Sequence, residues 1–85
     1  MSVRIVYFAW VRERIGKGSE ELELPAGVKT VGDLIAHLGT LGEEYAEALS
    51  VPGVIRAAID EEHAGHDEPI GGAREIALFP PMTGG

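Results

Sequence analysis

Thr30-Val31-Gly32-Asp33-Leu34-Ile35-Ala36-His37-Leu38-Gly39 decides the fold. Val31, Leu34, Ile35 and Leu38 fall at i, i+3, i+4 and i+7, which predicts one apolar stripe along a helix. Thr30 is a good N-cap, and Asp33 three residues on resembles the second half of a capping box. Gly39 is placed to end the helix. Working outward, residues 20–24 (EELEL) alternate and predict a strand with one wet and one dry face. Residues 3–8 (VRIVYF) are apolar and β-branched enough to read as a central strand buried on both faces. Between these two, residues 9–15 predict a short helix closed by Gly16 and the turn 16–19. Beyond the main helix, residues 43–50 predict a weaker helix with Tyr45, Ala46 and Leu49 inward, ended by Pro52-Gly53. Residues 54–60 (VIRAAID) and 74–79 (REIALF) read as two more strands, with a polar loop over 61–72 between them.

One strong amphipathic helix among four strands has to cover one face of a mixed sheet, an α+β layout. If the first and last strands pair, they run parallel at its centre. Eighty-five residues predict one small domain with one modest core. No apolar run approaches a membrane span, and the opening residues lack a signal pattern, which predicts a cytoplasmic protein. The net charge of −7 argues against nucleic acid as a partner. Its cations gather early: Arg4, Arg12, Arg14 and Lys17 stand against the single acid Glu13 in the first seventeen residues. There is no cysteine, so disulfides, thiolate metal sites and cysteine nucleophiles are excluded.

The chain closes on Phe79-Pro80-Pro81-Met82-Thr83-Gly84-Gly85. Pro80 and Pro81 fix φ and offer no N–H, so residues 80–85 are expected to leave the domain of residues 1–79 as an extended, mobile arm without a strand partner. Glycine lacks Cβ, so Gly84 and Gly85 suit a slot too narrow for other residues. Two readings stand side by side. Gly-Gly is a frayed end, or it displays a bare α-carboxylate for activation by another enzyme. In the second reading ATP converts the carboxylate to an acyl-adenylate. A sulfur nucleophile then displaces AMP and leaves a thiocarboxylate on Gly85, ionised and nucleophilic at neutral pH.

The other constellations are weaker. His63-Ala64-Gly65-His66, among Glu61, Glu62, Asp67 and Glu68, falls short of the four ligands of a closed site and reads as a solvated acidic loop, with no metal expected. His37 reads as an exposed helix residue. No nucleophile elbow or triad is present, and Gly71-Gly72 reads as a turn. Phe8, Trp10 and Phe79 fit either core packing or an exposed docking patch beside the tail.

Two segments together carry a resemblance. Phe8-Ala9-Trp10-Val11-Arg12-Glu13 is similar to the F-A-x-[VL]-R-E segment of the MoaD/ThiS sulfur-carrier family. Residues 75–85 (EIALFPPMTGG) resemble its E-V-A-F-F-P-P-V-x-G-G ending, most like the small subunits of molybdopterin synthase. The resemblance implies a ubiquitin-like β-grasp, with a mixed four- to five-stranded sheet packed by one main helix. It implies a chain that is no enzyme by itself and binds no cofactor. A ubiquitin-activating-type adenylyltransferase using MgATP would load Gly85, with sulfur from a donor such as a cysteine desulfurase or rhodanese. Two such chains would dock on a dimer of large subunits, forming a heterotetramer. Pro80, Pro81, Met82, Thr83 and Gly84 would enter the large subunit's active site, and Phe8, Arg12 and Phe79 would form the interface. The acceptor would be cyclic pyranopterin monophosphate. Carriers for thiazole, cysteine or tRNA sulfur, or a ubiquitin-like modifier, are the alternatives. Ala73-Arg74 stands where the family often has Gly-Asp, Asp60 where it often has Asn, and Leu78 where Phe is common.

Overall fold

The computed structural model describes residues 2–81, in the order β1 (Ser2–Tyr7), α1 (Ala9–Ile15), β2 (Ser19–Glu23), α2 (Val31–Leu38), α3 (Glu43–Ala48), a 3-10 turn (Pro52–Val54), β3 (Arg56–Ile59), β4 (Glu62–Ala64) and β5 (Glu75–Phe79). One mixed sheet forms in the order β2-β1-β5-β3-β4. β1 and β5 run parallel, with Ile5 opposite Ile76 and Tyr7 opposite Leu78, and the other pairs are antiparallel. This is the ubiquitin-like β-grasp. The expected tail residues Met82–Gly85 lie outside the described residues.

α2 matches its sequence signals. Thr30 accepts from the Asp33 N–H at 3.1 Å, and the Asp33 carboxylate accepts from the Thr30 N–H at 3.2 Å. The next helix donors reach outward: Val31 N–H donates to Glu68 O at 3.1 Å and Gly32 N–H to His66 O at 2.8 Å. The loop before β5 therefore takes up helix N–H groups that would otherwise lack partners. The stripe Val31, Leu34, Ile35 and Leu38 is fully or nearly fully buried, in one cluster with Ile5, Tyr7, Ile55, Ile76 and Leu78. Removing one such aliphatic side chain costs about 2–5 kcal/mol in comparable cores.

Four expectations need correction. β1 is interior to the sheet but buried on one face only: Val3, Ile5 and Tyr7 are buried while Arg4 is exposed and Val6 half-buried. The helices cover a single side, so even an interior strand keeps an open face. Within 61–72 a fifth strand, β4, pairs with β3 through a two-residue turn. In α3 the inward alanine is Ala48, not Ala46, because Tyr45, Ala48 and Leu49 make the i, i+3, i+4 stripe. His66 is part of the framework rather than a solvated group, since its Nε2 lies 2.7 Å from Ile55 O.

The β3–β4 turn is locally strained. Asp60 and Glu61 have φ of 47° and 74°, left-handed values that side-chain-bearing residues seldom adopt. Asp60 is held there by its carboxylate, whose Oδ1 accepts from the N–H groups of Arg74 at 3.0 Å and Glu75 at 2.9 Å. The Glu61 side chain makes no such hydrogen bond among the described residues, so Glu61→Gly is expected to raise stability by about 0.5 kcal/mol, the left-handed penalty less glycine's extra chain entropy. A denaturation midpoint above wild type supports this, and a lower midpoint contradicts it.

A second cluster ties β2 to α3. Glu20 Oε2 accepts from the Tyr7 hydroxyl at 2.7 Å and the Tyr45 hydroxyl at 2.6 Å, and Lys17 Nζ lies 3.3 Å from Oε1. Burial works to raise the Glu20 pKa, but the hydroxyls of Tyr45 and Tyr7 and the Lys17 ammonium outweigh it and hold the carboxyl below its ordinary value. Burial, then the bond to Glu20, keeps the Tyr7 hydroxyl protonated far above the usual phenol range. A depressed carboxyl pKa adds stability above its unfolded value of about 4.5, and that stability is lost as pH falls through the folded-state value. The thermal midpoint is therefore expected to fall more steeply below that pH in wild type than in Glu20→Gln, which starts lower at neutral pH. Parallel pH profiles for the two proteins would remove Glu20 from this role.

Candidate functional site

The open face of the sheet is built by register. Directly opposed residues share a face, so Val6, Ala77 and Ala58 form one row across β1, β5 and β3, continued by His63 on β4. One step toward the ends of β1 and β5 stand Phe8, Phe79 and Arg56. Phe79 pairs with Arg56 across β3–β5, and the Phe8 N–H donates to Leu78 O at 3.1 Å. Phe8 and Phe79 therefore sit on neighbouring strands and the same face. Of the two readings of these aromatics, the exposed patch holds for Phe8, which is 48% exposed. Phe79 is half-buried, with the His63 ring edge-on at 5.5 Å and 85°. Trp10 instead packs against the core's edge, with the Arg14 guanidinium 4.8 Å over its ring.

Phe8 stands out because the chain turns sharply behind it. Phe8 is still extended, whereas Ala9 has φ of 52° as the first residue of α1. A left-handed alanine costs on the order of 1 kcal/mol. Tyr7, directly before Phe8, points to the other face and is fixed there by Glu20. Arg12 donates its backbone N–H to Phe8 O at 3.3 Å. Its guanidinium lies against Gly18, within 3.3 Å of where a Cβ would stand, so it flanks the β1–β2 connection rather than the open face. At the far end of α1, Gly16 takes φ of 89° and its N–H donates to Arg12 O at 2.9 Å, closing the helix as its sequence position predicts.

β5 ends at Phe79, followed by half-buried Pro80 and exposed Pro81. The remaining singled-out residues, Met82, Thr83, Gly84 and Gly85, lie outside the described residues. Ahead of β5, Gly72 has φ of 83°, so Gly71-Gly72 supplies the turn where Ala73-Arg74 replaces the family's glycine-led segment.

Arg56 was not singled out from sequence, and His63 was read there as part of a solvated acidic loop, yet both share this face with the two phenylalanines. Arg56 carried a signal, as a lone charge in an otherwise apolar strand. His63 did not, because β4 is only three residues long and acidic. Among the described residues no group of His, Asp and Glu side chains is arranged to hold a metal ion, and no helix is long and apolar enough to cross a membrane. The apolar cleft between Val3, Leu24, Val28 and Ile70 lies at the starts of β1 and β5, the opposite end from Phe79. What the described surface offers is a binding face beside the point where the chain end departs.

The chain is 34% identical to the molybdopterin synthase sulfur carrier subunit of Escherichia coli (strain K12) over 83 residues, covering 98% of this chain and 99% of that one. It is also 34% identical to the protein of the same name from Dictyostelium discoideum, covering 96% and 94%. Among solved structures, SAMP1 from Haloferax volcanii superposes with a TM-score of 0.72 at 26% identity, covering the whole of both chains. The ThiS family model matches residues 5–85, from the middle of β1 through the terminal diglycine, and the chain belongs to the ThiS family.

Proposed function

We propose that this chain is a sulfur carrier for molybdopterin synthesis, bearing a thiocarboxylate on Gly85 and giving its sulfur to cyclic pyranopterin monophosphate. The observation that supports this most is the family match running through Gly85, while β5 delivers the chain end beside the Phe8–Phe79 face. Full-length similarity to two molybdopterin synthase sulfur carrier subunits supports the choice of acceptor.

The division of labour follows from chemistry. A carboxylate is a poor electrophile. Transfer of AMP from MgATP by an adenylyltransferase gives a mixed anhydride with a good leaving group. The outer sulfur of a persulfide on a donor such as a cysteine desulfurase or rhodanese attacks the carbonyl carbon, and AMP leaves. A thiol reductant then cleaves the resulting acyl disulfide, which releases the thiocarboxylate and leaves the thiol and the donor cysteine joined as a disulfide. Both partners have to shield the activated end from water. The chain contributes docking and delivery. Phe8 and Phe79 supply apolar contact, Arg12 adds a charge beside the β1–β2 connection, off the open face, and Pro80 and Pro81 stiffen the approach. Met82, Thr83 and the side-chain-free Gly84 thread the slot that receives Gly85. The large subunit of the synthase supplies the active site, with two carriers on a dimer of large subunits.

One observation favours a second reading. The similarity to SAMP1, a small archaeal modifier, fits a chain whose activated end forms an isopeptide bond with lysines. The same first step serves both readings, and the second nucleophile differs.

The test is intact mass after incubation with MgATP, the adenylyltransferase and a sulfide source. The full chain is expected to gain the mass of one oxygen-to-sulfur exchange. A chain lacking Gly84 and Gly85 is expected to gain nothing while keeping its thermal midpoint. Loading of the truncated chain, or none of the full one with an active adenylyltransferase, contradicts the proposal. Isopeptide-linked adducts without the thiocarboxylate would move it to the modifier reading.

A further inference from the structure

Building on the docking reading above, we infer that the tail-side half of the open sheet face docks on the large subunit of the synthase, with Arg56 reading a carboxylate that the large subunit presents at the rim of its tail-binding slot. Arg56 stands directly across from Phe79 and is exposed. It makes no ion pair among the described residues, whereas Arg4, the other arginine on this face, has Glu75 at 4.0 Å. The acids of the face, Glu21, Glu23 and Glu75, stand by register in the rows toward the starts of β1 and β5. Among the strand residues the row nearest Phe79 holds Val6, Ala77, Ala58 and His63 and no carboxylate, and Asp67, in the loop after β4, sits beside Gly65 without an ion pair to Arg56. A chain of net charge −7 thus keeps an arginine without an ion pair, among the described residues, across from the last residue of β5.

Placement gives that charge its effect. Docking over Phe8, Phe79 and the small residues between them excludes water, which strengthens an ion pair formed at the edge of the patch. It also makes an unpaired guanidinium costly, so a partner lacking an acid there is disfavoured. His63, edge-on to Phe79, holds that ring beside Arg56. The counter-charge belongs to protein rather than to the reacting small molecule. Gly85 is six positions beyond Phe79, and an extended run of that length spans up to about 20 Å.

Association of the full chain with the large subunit of molybdopterin synthase tests this, followed by stopped flow at about 50 mM and about 500 mM salt, where screening differs strongly. Arg56→Glu is expected to slow association about tenfold at low salt, with the difference largely gone at high salt. Arg56→Gln is expected to fall between, and Lys29→Glu, the same charge change at an exposed site before α2, to stay near wild type. Thermal midpoints confirm that each variant is folded. Equal rates for Arg56→Glu and wild type, an equal loss in Lys29→Glu, or a loss that salt does not diminish would each overturn the inference. If the wild-type chain itself does not bind a competent large subunit, the docking reading fails first and this inference falls with it.

Discussion

The parallel pairing of β1 with β5 is the constraint on which the rest depends. It sets the first and last strands side by side at the interior of the sheet, with Ile5 opposite Ile76 and Tyr7 opposite Leu78. Those side chains are buried under α2, so the register cannot slip by one residue without turning Ile5, Tyr7, Ile76 and Leu78 to water. The same register sets the opposite face. Where Tyr7 and Leu78 point to the core, Phe8 and Phe79 follow one residue later on the open side. A core constraint thereby places two aromatic rings at the site where the chain end leaves the domain. The Glu20 cluster reinforces it, because a single carboxylate holds both Tyr7 and Tyr45.

Much of this was legible in the sequence, and the gaps have physical causes. α2 was readable because its stripe, N-cap and capping box agree with one another. α1 was readable because Gly16 marks its end and takes the left-handed conformation there. β4 was missed because three residues, Glu62-His63-Ala64, carry no apolar alternation, and β3 supplies its pairing. The two-sided burial expected of β1 failed because strand composition does not report how many faces the helices cover. The docking face was half legible. Phe8 and Phe79 announce themselves by type and position, but Arg56 and His63 join them only through the β3–β5 and β3–β4 registers. The tail was visible as Pro-Pro followed by Gly-Gly, and its chemistry rests on the family match and on the reactivity of a carboxylate rather than on the fold.

The molecule divides its work between two parts. In the proposed reading the β-grasp body supplies the docking face, and among its described residues no group of His, Asp and Glu side chains is arranged to hold a metal ion. Its buried polar groups are spent on structure: the Tyr7 hydroxyl stays protonated against Glu20, and His66 fastens the loop before β5 to Ile55. The reactive group in this account is the terminal carboxylate, whose chemistry is carried out by partners. Such a carrier needs recognition on its face and the absence of side chains at its end.

The most direct measurement is a single turnover. The chain carrying a thiocarboxylate at Gly85 is mixed with the large subunit of molybdopterin synthase and cyclic pyranopterin monophosphate. Carrier mass and pterin product are followed together. The account predicts that the carrier returns to its carboxylate mass as molybdopterin appears. A thiocarboxylate that survives unchanged beside a large subunit of demonstrated activity would contradict it.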